Sequence, residues 1–125
     1  MLAITNKNGK KFYIGSNGKL ISINKIKNFK KKLPFVFSKS NYNEFIQLKK
    51  IIDKSKFQFE EIESFYYFPS NRWDFKTNEG MLIKLPKKNI LESLQFADLI
   101  KTNLQFKNNK IIDLRISNRI IATNE

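Results

Sequence analysis

The sequence predicts an α+β fold, with a mostly antiparallel, curved sheet and two main helices. Short runs rich in aromatic and β-branched residues alternate with turn signals along most of the chain. Two longer stretches, residues 41–55 and 88–105, show the apolar spacing of a helix. Strand-like runs come first and then alternate with these helices, an order that favours α+β over a regular βαβ repeat.

The first 23 residues predict a three-stranded meander. Asn8-Gly9 and Asn17-Gly18 are signals of type I′ hairpin turns, because both residue types tolerate the positive φ that such turns require. The two signals bracket the apolar run of residues 12–14, and residues 19–23 supply the third strand.

A basic connection over residues 24–34 leads to a short predicted strand at residues 35–37. Ser40 or Asn41 is positioned to cap the first helix, and Glu44 lies in its first turn, where a negative charge favours the helix dipole. The apolar stripe of this helix consists of Phe45, Leu48, Ile51 and Ile52.

Strand-like composition returns at residues 57–59 and 62–68. Residues 72–77 then pair with residues 81–85 in a predicted hairpin that Pro86 ends. The second helix, residues 88–105, has an apolar face made of Ile90, Leu91, Leu94, Ala97, either Leu99 or Ile100, and Leu104. The last two predicted strands cover residues 110–116 and residues 119–123.

Composition excludes several kinds of catalytic site. The 125 residues fit one domain, and they include neither Cys nor His, so thiol, imidazole and ordinary zinc chemistry is absent. We expect no metal and no cofactor. Glu60, Glu61 and Glu63 are the closest carboxylates in sequence, and a solvated strand face explains them better than a catalytic pair.

Positive charge is concentrated at the N-terminal end. Residues 1–43 contain ten lysines and no acid, whereas the whole chain has a net charge of +13. A nucleic acid or an anionic membrane surface would fit this charge. Codon bias explains it as well, and only three of the 24 basic residues are Arg, which base readout prefers, so we expect no nucleic-acid partner. The densest part of this anionic-surface candidate consists of Lys25, Lys27, Lys30, Lys31 and Lys32.

The last third of the chain resembles a known family. The residues that carry the resemblance are Arg72-Trp73-Asp74, Glu79-Gly80, Ile83-Lys84-Leu85-Pro86, and Ile112-Asp113-Leu114-Arg115 with Asn118-Arg119. In this order, with a helix between the third and fourth segments, they resemble the β domain of the cell division proteins FtsQ and DivIB. The structural motif that the resemblance assigns consists of Arg72, Trp73, Asp74, Gly80, Leu85, Pro86 and Asp113.

The resemblance implies a non-enzymatic scaffold of the bacterial divisome. It implies FtsB-like and FtsL-like division proteins as partners and a contribution to the control of septal cell-wall synthesis. It also implies a periplasmic domain that an N-terminal transmembrane helix and a POTRA domain, both absent from this chain, would join to the inner membrane. We expect the isolated domain to be monomeric.

The residues themselves indicate where a partner would bind. A final strand has no later strand to cover one side, and residues 119–123 contain no Lys, Pro or other feature that protects an edge inside the run Ile120-Ile121-Ala122. We therefore predict strand addition at residues 116–123, with Arg115 suggested by the resemblance as an ion-pair donor. The alternative is that Ile120 and Ile121 complete the core. The predicted partner-binding residues are Arg115, Ile116, Ser117, Asn118, Arg119, Ile120, Ile121, Ala122 and Thr123.

Overall fold

A computed structural model describes residues 2–23, 32–38, 42–102, 111–115 and 121–123 of the chain, with backbone only at Lys101, Thr102 and the last of these segments. The described strands form one nine-stranded sheet, and two helices accompany it. The strands are β1 (Ala3–Lys7), β2 (Lys10–Ile14), β3 (Leu20–Ser22), β4 (Phe35–Phe37), β5 (Ile62–Phe68), β6 (Arg72–Thr77), β7 (Leu82–Lys84), β8 (Ile111–Asp113) and β9 (Ile121–Thr123). The helices are α1 (Asn43–Lys54) and α2 (Ile90–Thr102).

The order of the strands in the sheet is β3-β2-β1-β4-β5-β6-β7-β8-β9. Neighbouring strands are antiparallel except at three junctions, β1–β4, β4–β5 and β7–β8, which are parallel. α1 lies in the connection from β4 to β5, and α2 lies in the connection from β7 to β8. Each helix supplies the long connection that two parallel strands require. The predicted α+β class with a mostly antiparallel sheet and two helices is confirmed.

One face of the sheet forms the hydrophobic core with the helices. A fully buried row crosses the sheet from β4 to β8 at paired positions, and it consists of Val36, Phe65, Phe75, Ile83 and Ile112. These side chains belong to one cluster with the buried residues of α1 and α2. The ring of Phe45 on α1 lies 5.2 Å from that of Phe65, edge to face. The opposite face of these strands presents Tyr66, Asp74, Lys84 and Asp113, and we call it the open face.

The helices follow their predicted stripes with one correction. Phe45, Leu48 and Ile52 are buried on α1 as predicted. On α2, Ile100 is buried and Leu99 is 68% exposed, so Ile100 is the residue of that pair that faces the core. Leu91 is also exposed, contrary to its predicted place on the apolar face. The predicted Leu104 and the predicted caps Ser40 and Asn41 lie outside the described residues.

Two local predictions are wrong. Asn8 and Gly9 both have positive φ, as in a type I′ turn, but in the second hairpin only Gly18 does. The β2–β3 loop is a longer turn in which the N–H of Gly18 donates to the carbonyl of Gly15 at 3.0 Å. Residues 57–59 form no strand, because a bend leads there into a 3₁₀ turn at Phe59–Glu61.

No helix in the described part of the chain combines the length and apolar character needed to cross a membrane.

Candidate functional site: the β8–β9 end of the sheet

The candidate docking edge is the end of the sheet formed by β8 and β9. β8 pairs in parallel with β7 on one side, and β9 pairs antiparallel with β8 through Asp113↔Ile121, Ile112↔Ala122 and Ile111↔Thr123. β9 comes last in the strand order, so among the described strands it has a neighbour on one side only. The backbone groups on its outer side are of the kind that a further strand can pair with.

A row of alternating charges leads across the open face toward this edge. Asp74 on β6 is the register partner of Lys84 on β7, and Lys84 is the register partner of Asp113 on β8. Directly opposed side chains on one face interact across the strands. The positive charge of Lys84 favours the ionised form of both carboxyls, although burial raises the pKa of Asp74 and hydrogen bonds from Arg115 are the main cause of the lowered pKa of Asp113. The row therefore joins β8 electrostatically to the β6–β7 hairpin.

Asp113 also holds the side chain of Arg115. The Nε of Arg115 donates to Oδ1 of Asp113 at 2.8 Å and its Nη2 donates to Oδ2 at 2.5 Å, while its backbone N–H donates to Oδ1 at 3.0 Å. These hydrogen bonds lower the pKa of Asp113 although burial acts in the opposite direction. They also raise the pKa of Arg115. The guanidinium thus has a fixed place beside the edge, with its outer part exposed.

At the other end of the row, Arg72 pairs with Asp74 within strand β6. The Nη1 of Arg72 donates to Oδ1 of Asp74, and the Arg72 guanidinium lies 4.6 Å from the ring centre of Phe68. Asp74 is only 4% exposed, and desolvation raises its pKa despite the nearby cations. Arg72 and Asp74 are residues i and i+2 of one strand, so the period of two places both side chains on the same face, and both are largely buried there.

The remaining residues of the motif are structural. Trp73 is buried on the helix side of the sheet together with Phe75, and its ring lies 4.7 Å from that of Tyr67. Leu85 is fully buried, and its N–H donates to the carbonyl of Trp73 at 3.0 Å. Pro86 follows directly. Gly80 closes the β6–β7 turn with a φ of +91°, a conformation that favours glycine.

A groove of about 700 Å³ lies on the open face next to the charged row. Aromatic, aliphatic and charged residues from four strands and one turn line it: Tyr66, Phe68, Asp74, Lys76, Glu79, Gly80, Leu82 and Ile111. Its charged residues carry both signs, so the groove as a whole does not select for an anion or a cation.

The predicted sites fall only partly within the described residues. Arg115 follows the end of β8, the strand next to β9, and β9 contains Ile121, Ala122 and Thr123. The predicted partner-binding residues outside the described part are Ile116, Ser117, Asn118, Arg119 and Ile120. Of the anionic-surface candidate, Lys32 is described and exposed, whereas Lys25, Lys27, Lys30 and Lys31 lie outside. The role of both sets stays a prediction.

The sequence did not predict that Lys84 lies in this charged row. The sequence indicates it only as a member of the family motif, but strand pairing places it between Asp74 and Asp113. Alternation assigns polar residues of β6, β7 and β8 to one face, but it does not give the register that brings these three into one row. Over the described residues, no group of three or more acidic side chains is placed to hold a metal ion.

A comparison with protein families identifies the family of the chain. The family model for "Cell division protein FtsQ/DivIB, C-terminal" matches residues 3–115, which places the chain among the cell division proteins. More narrowly, the chain belongs to the FtsQ/DivIB C-terminal family. The match extends from β1 to Arg115 and stops before β9. A comparison with curated proteins gives no match.

Proposed function

We propose that this chain is a protein-docking domain of the division machinery and that its β8–β9 edge accepts a strand from an FtsB-like or FtsL-like partner. The observation that supports this most directly is the position of β9 at the end of the strand order, with β8 on one side. Strand addition at such an edge gains affinity from main-chain hydrogen bonds and selectivity from alternate side chains.

Arg115 supplies the specificity in this proposal. Asp113 occupies Nε and Nη2 of its guanidinium, while Nη1 makes no bond to a described residue. An acidic residue of the partner strand would pair with Nη1 without breaking the contact to Asp113. Because Asp113 already fixes the guanidinium, little side-chain entropy is lost when the partner binds.

The cellular setting belongs to the same proposal. The chain acts as a single, monomeric, non-enzymatic scaffold domain in the periplasm, linked to the inner membrane by a helix that lies outside this domain. Through its partners it contributes to the control of septal cell-wall synthesis. Family membership supports the role in division, and the partners and location follow from the resemblance described above.

The test is binding of a peptide from the C-terminal segment of the FtsB-like protein of the same organism, measured by isothermal titration calorimetry. Ile121→Lys places a charge in β9 and should weaken binding by at least tenfold, about 1.4 kcal/mol. Ile121→Val keeps a β-branched apolar residue and should bind within about twofold of the original chain. Circular dichroism and thermal unfolding check that both variants are folded.

A second variant addresses the ion pair. Arg115→Gln keeps a long polar side chain but removes the charge, and it should reduce both affinity and its dependence on salt. Equal binding by Ile121→Lys and Ile121→Val, with both folded, would show that the partner docks elsewhere.

A further inference from the structure

The sheet has a second edge at its opposite end, formed by β3. The strand order begins with β3, and among the described strands only β2 adjoins it. The register pairs Ile14 with Leu20, Tyr13 with Ile21, and Phe12 with Ser22. All three residues of β3 are half-buried. This edge is remote in the strand order from β9, so it is independent of the docking edge proposed above.

The hydrogen-bond pattern shows which groups of β3 point outward. The N–H of Gly15 donates to the carbonyl of Lys19 at 2.9 Å, so these two residues occupy a hydrogen-bonding position of the ladder, although the N–H of Lys19 donates to Oδ1 of Asn17 instead of to Gly15. Bonded and non-bonded pairs alternate along an antiparallel ladder, so Ile21 faces Tyr13 as the next bonded pair. The N–H and C=O of Leu20 and of Ser22 therefore point away from β2, toward the position that a further strand would occupy.

The contacts of β3 and of the loop before it hold this edge in place. The side chain of Leu20 packs against the hydrophobic core. In the β2–β3 loop, Gly18 lies against the start of α1: a Cβ at this position would be 3.0 Å from the amide oxygen of Asn43. β3 itself, Leu20-Ile21-Ser22, contains no charge and no proline. It is a preformed rather than a mobile strand.

The charged residues of β2, β3 and the loop between them are all basic. Lys19 precedes β3 and is exposed, and Lys10 and Lys11 on β2 lie beyond the pair of Phe12 and Ser22, also exposed. Lys7 and Lys10 are direct register partners on β1 and β2, and like charges opposite each other are unfavourable. Residues 1–43 contain no acid in sequence. An acidic partner would relieve this repulsion.

From the outward direction of these backbone groups and the one-sided charge together, we propose that β3 is a second docking edge, which binds an extended acidic segment of a partner protein by strand addition. The backbone groups favour a polypeptide over a lipid surface or a nucleic acid, because those ligands do not form a β-ladder. The lysines select acidic side chains at both ends of the added strand. This goes beyond the role of the β8–β9 edge and does not depend on it.

The experiment uses the 125-residue chain and a blocked peptide of about eight residues that alternates Glu and Val, a length typical of a strand. Affinity is measured by calorimetry, and the binding position by amide chemical shifts in NMR spectra. We expect binding that weakens as salt increases, with the largest shifts at Leu20 and Ser22. A peptide that alternates Lys and Val should bind at least tenfold more weakly.

A proline substitution tests the outward donor. Ser22→Pro removes an N–H that points away from β2, so the β2–β3 ladder keeps its hydrogen bonds. It should weaken binding of the Glu-Val peptide by at least about tenfold. Ser22→Ala is the matched control, since it removes only the hydroxyl and should bind within about twofold of the original chain.

The charge is tested separately, so the proposal remains testable if Ser22→Pro fails to fold. Changing Lys10, Lys11 and Lys19 together to Gln should weaken binding by about tenfold and reduce its salt dependence. The proposal is overturned by equal binding of the two peptides, by unchanged affinity in folded Ser22→Pro, or by shifts centred on residues 121–123. It is also overturned if vesicles containing phosphatidylserine, or duplex DNA, bind to the chain and shift Leu20 and Ser22 while the Glu-Val peptide does not.

Discussion

The carboxylate of Asp113 receives three hydrogen bonds from Arg115, two from the guanidinium and one from the backbone N–H. The two residues are i and i+2 at the end of β8, where the chain leaves the sheet. Arg115 thus stays beside the proposed docking edge before any partner arrives. The Asp-Leu-Arg sequence explains this contact, because side chains two residues apart in an extended chain lie on the same face.

The contact between Asp113 and Arg115 predicts a dependence of stability on pH. The pKa of Asp113 is lower in the folded chain than in the unfolded chain, chiefly because of the hydrogen bonds from Arg115. This stabilisation is present above the pKa of an unfolded Asp and is lost as pH falls through the lowered pKa of the folded state. In Asp113→Asn we expect lower stability at pH 7 and a smaller loss between pH 7 and acid pH.

Urea unfolding of Asp113→Asn at several pH values measures this effect. Asp53 on α1 supplies the control: it pairs with Lys49 on an exposed surface, so Asp53→Asn should change stability by at most about 0.5 kcal/mol. Parallel pH profiles for the original chain and Asp113→Asn would contradict the assignment.

The pair of Arg72 and Asp74 predicts an asymmetry between two variants. Arg72→Ala leaves a buried carboxylate without its nearest cation and should destabilise the fold by about 2–4 kcal/mol at neutral pH. Asp74→Asn removes the charge whose desolvation raises the pKa, so its cost should be smaller. Thermal unfolding of both variants at pH 7 compares them, and a larger loss in Asp74→Asn would count against this account.

In Arg72→Ala the pKa of Asp74 should rise further, since the closest positive charge is gone. A raised pKa in the folded state means that this variant loses stability as pH rises through it. The variant should therefore recover part of its stability at mildly acid pH.

The aromatic core predicts which Phe residues determine stability. Phe65 is fully buried and lies within 6.2 Å, ring centre to ring centre, of each of Phe45, Phe59, Trp73 and Phe75. Phe65→Ala leaves a large cavity and should cost about 3–5 kcal/mol. Phe96→Ala on α2 makes the same chemical change at a side chain that is 45% exposed, and should cost less than about 1 kcal/mol. Urea midpoints of the two variants distinguish these outcomes.

Two glycines with similar φ angles allow the cost of backbone strain in a Gly→Ala substitution to be separated from the cost of steric crowding. Gly18 has a φ of +80° and Gly80 a φ of +91°, so Ala costs about 1 kcal/mol in backbone conformation at either position. At Gly18 the added Cβ would also meet Asn43, whereas at Gly80 no atom lies within 4 Å. We expect Gly18→Ala to lower the melting temperature more than Gly80→Ala does. Equal shifts would mean that Asn43 moves away freely.

Much of the fold could be predicted from the sequence because local patterns agree with the final packing. The α1 stripe of Phe45, Leu48 and Ile52 is the face that meets the core. The buried face of α2 was harder to predict, because apolar residues lie on several sides of this helix. Only its packing against the sheet determines that Ile100 is buried and Leu99 is exposed. The prediction of a type I′ turn at Asn17-Gly18 was wrong, because the loop already begins at Gly15 and these two residues lie near its end.

The candidate site was predictable only where it depends on one strand. Alternation places Asp113 and Arg115 on one side, and the run Ile120-Ile121-Ala122, which has no charge or proline, favours an edge at the last predicted strand. The row from Asp74 through Lys84 to Asp113 was not predictable, because it needs the register of three strands. One of those junctions is parallel and spans α2, so no hairpin turn fixes its register.

The parallel junction of β7 and β8 has a consequence for assembly. Its three residue pairs join segments far apart in sequence, while β5, β6 and β7 follow one another as adjoining hairpins. Contacts between distant segments are entropically costly and tend to form late, so the β8–β9 unit should be among the last parts of the sheet to be added and among the first to open. A partner strand added at β9 would then stabilise the β7–β8 pairing. Local opening would be slower, and the amides of β8 would be protected from exchange with solvent.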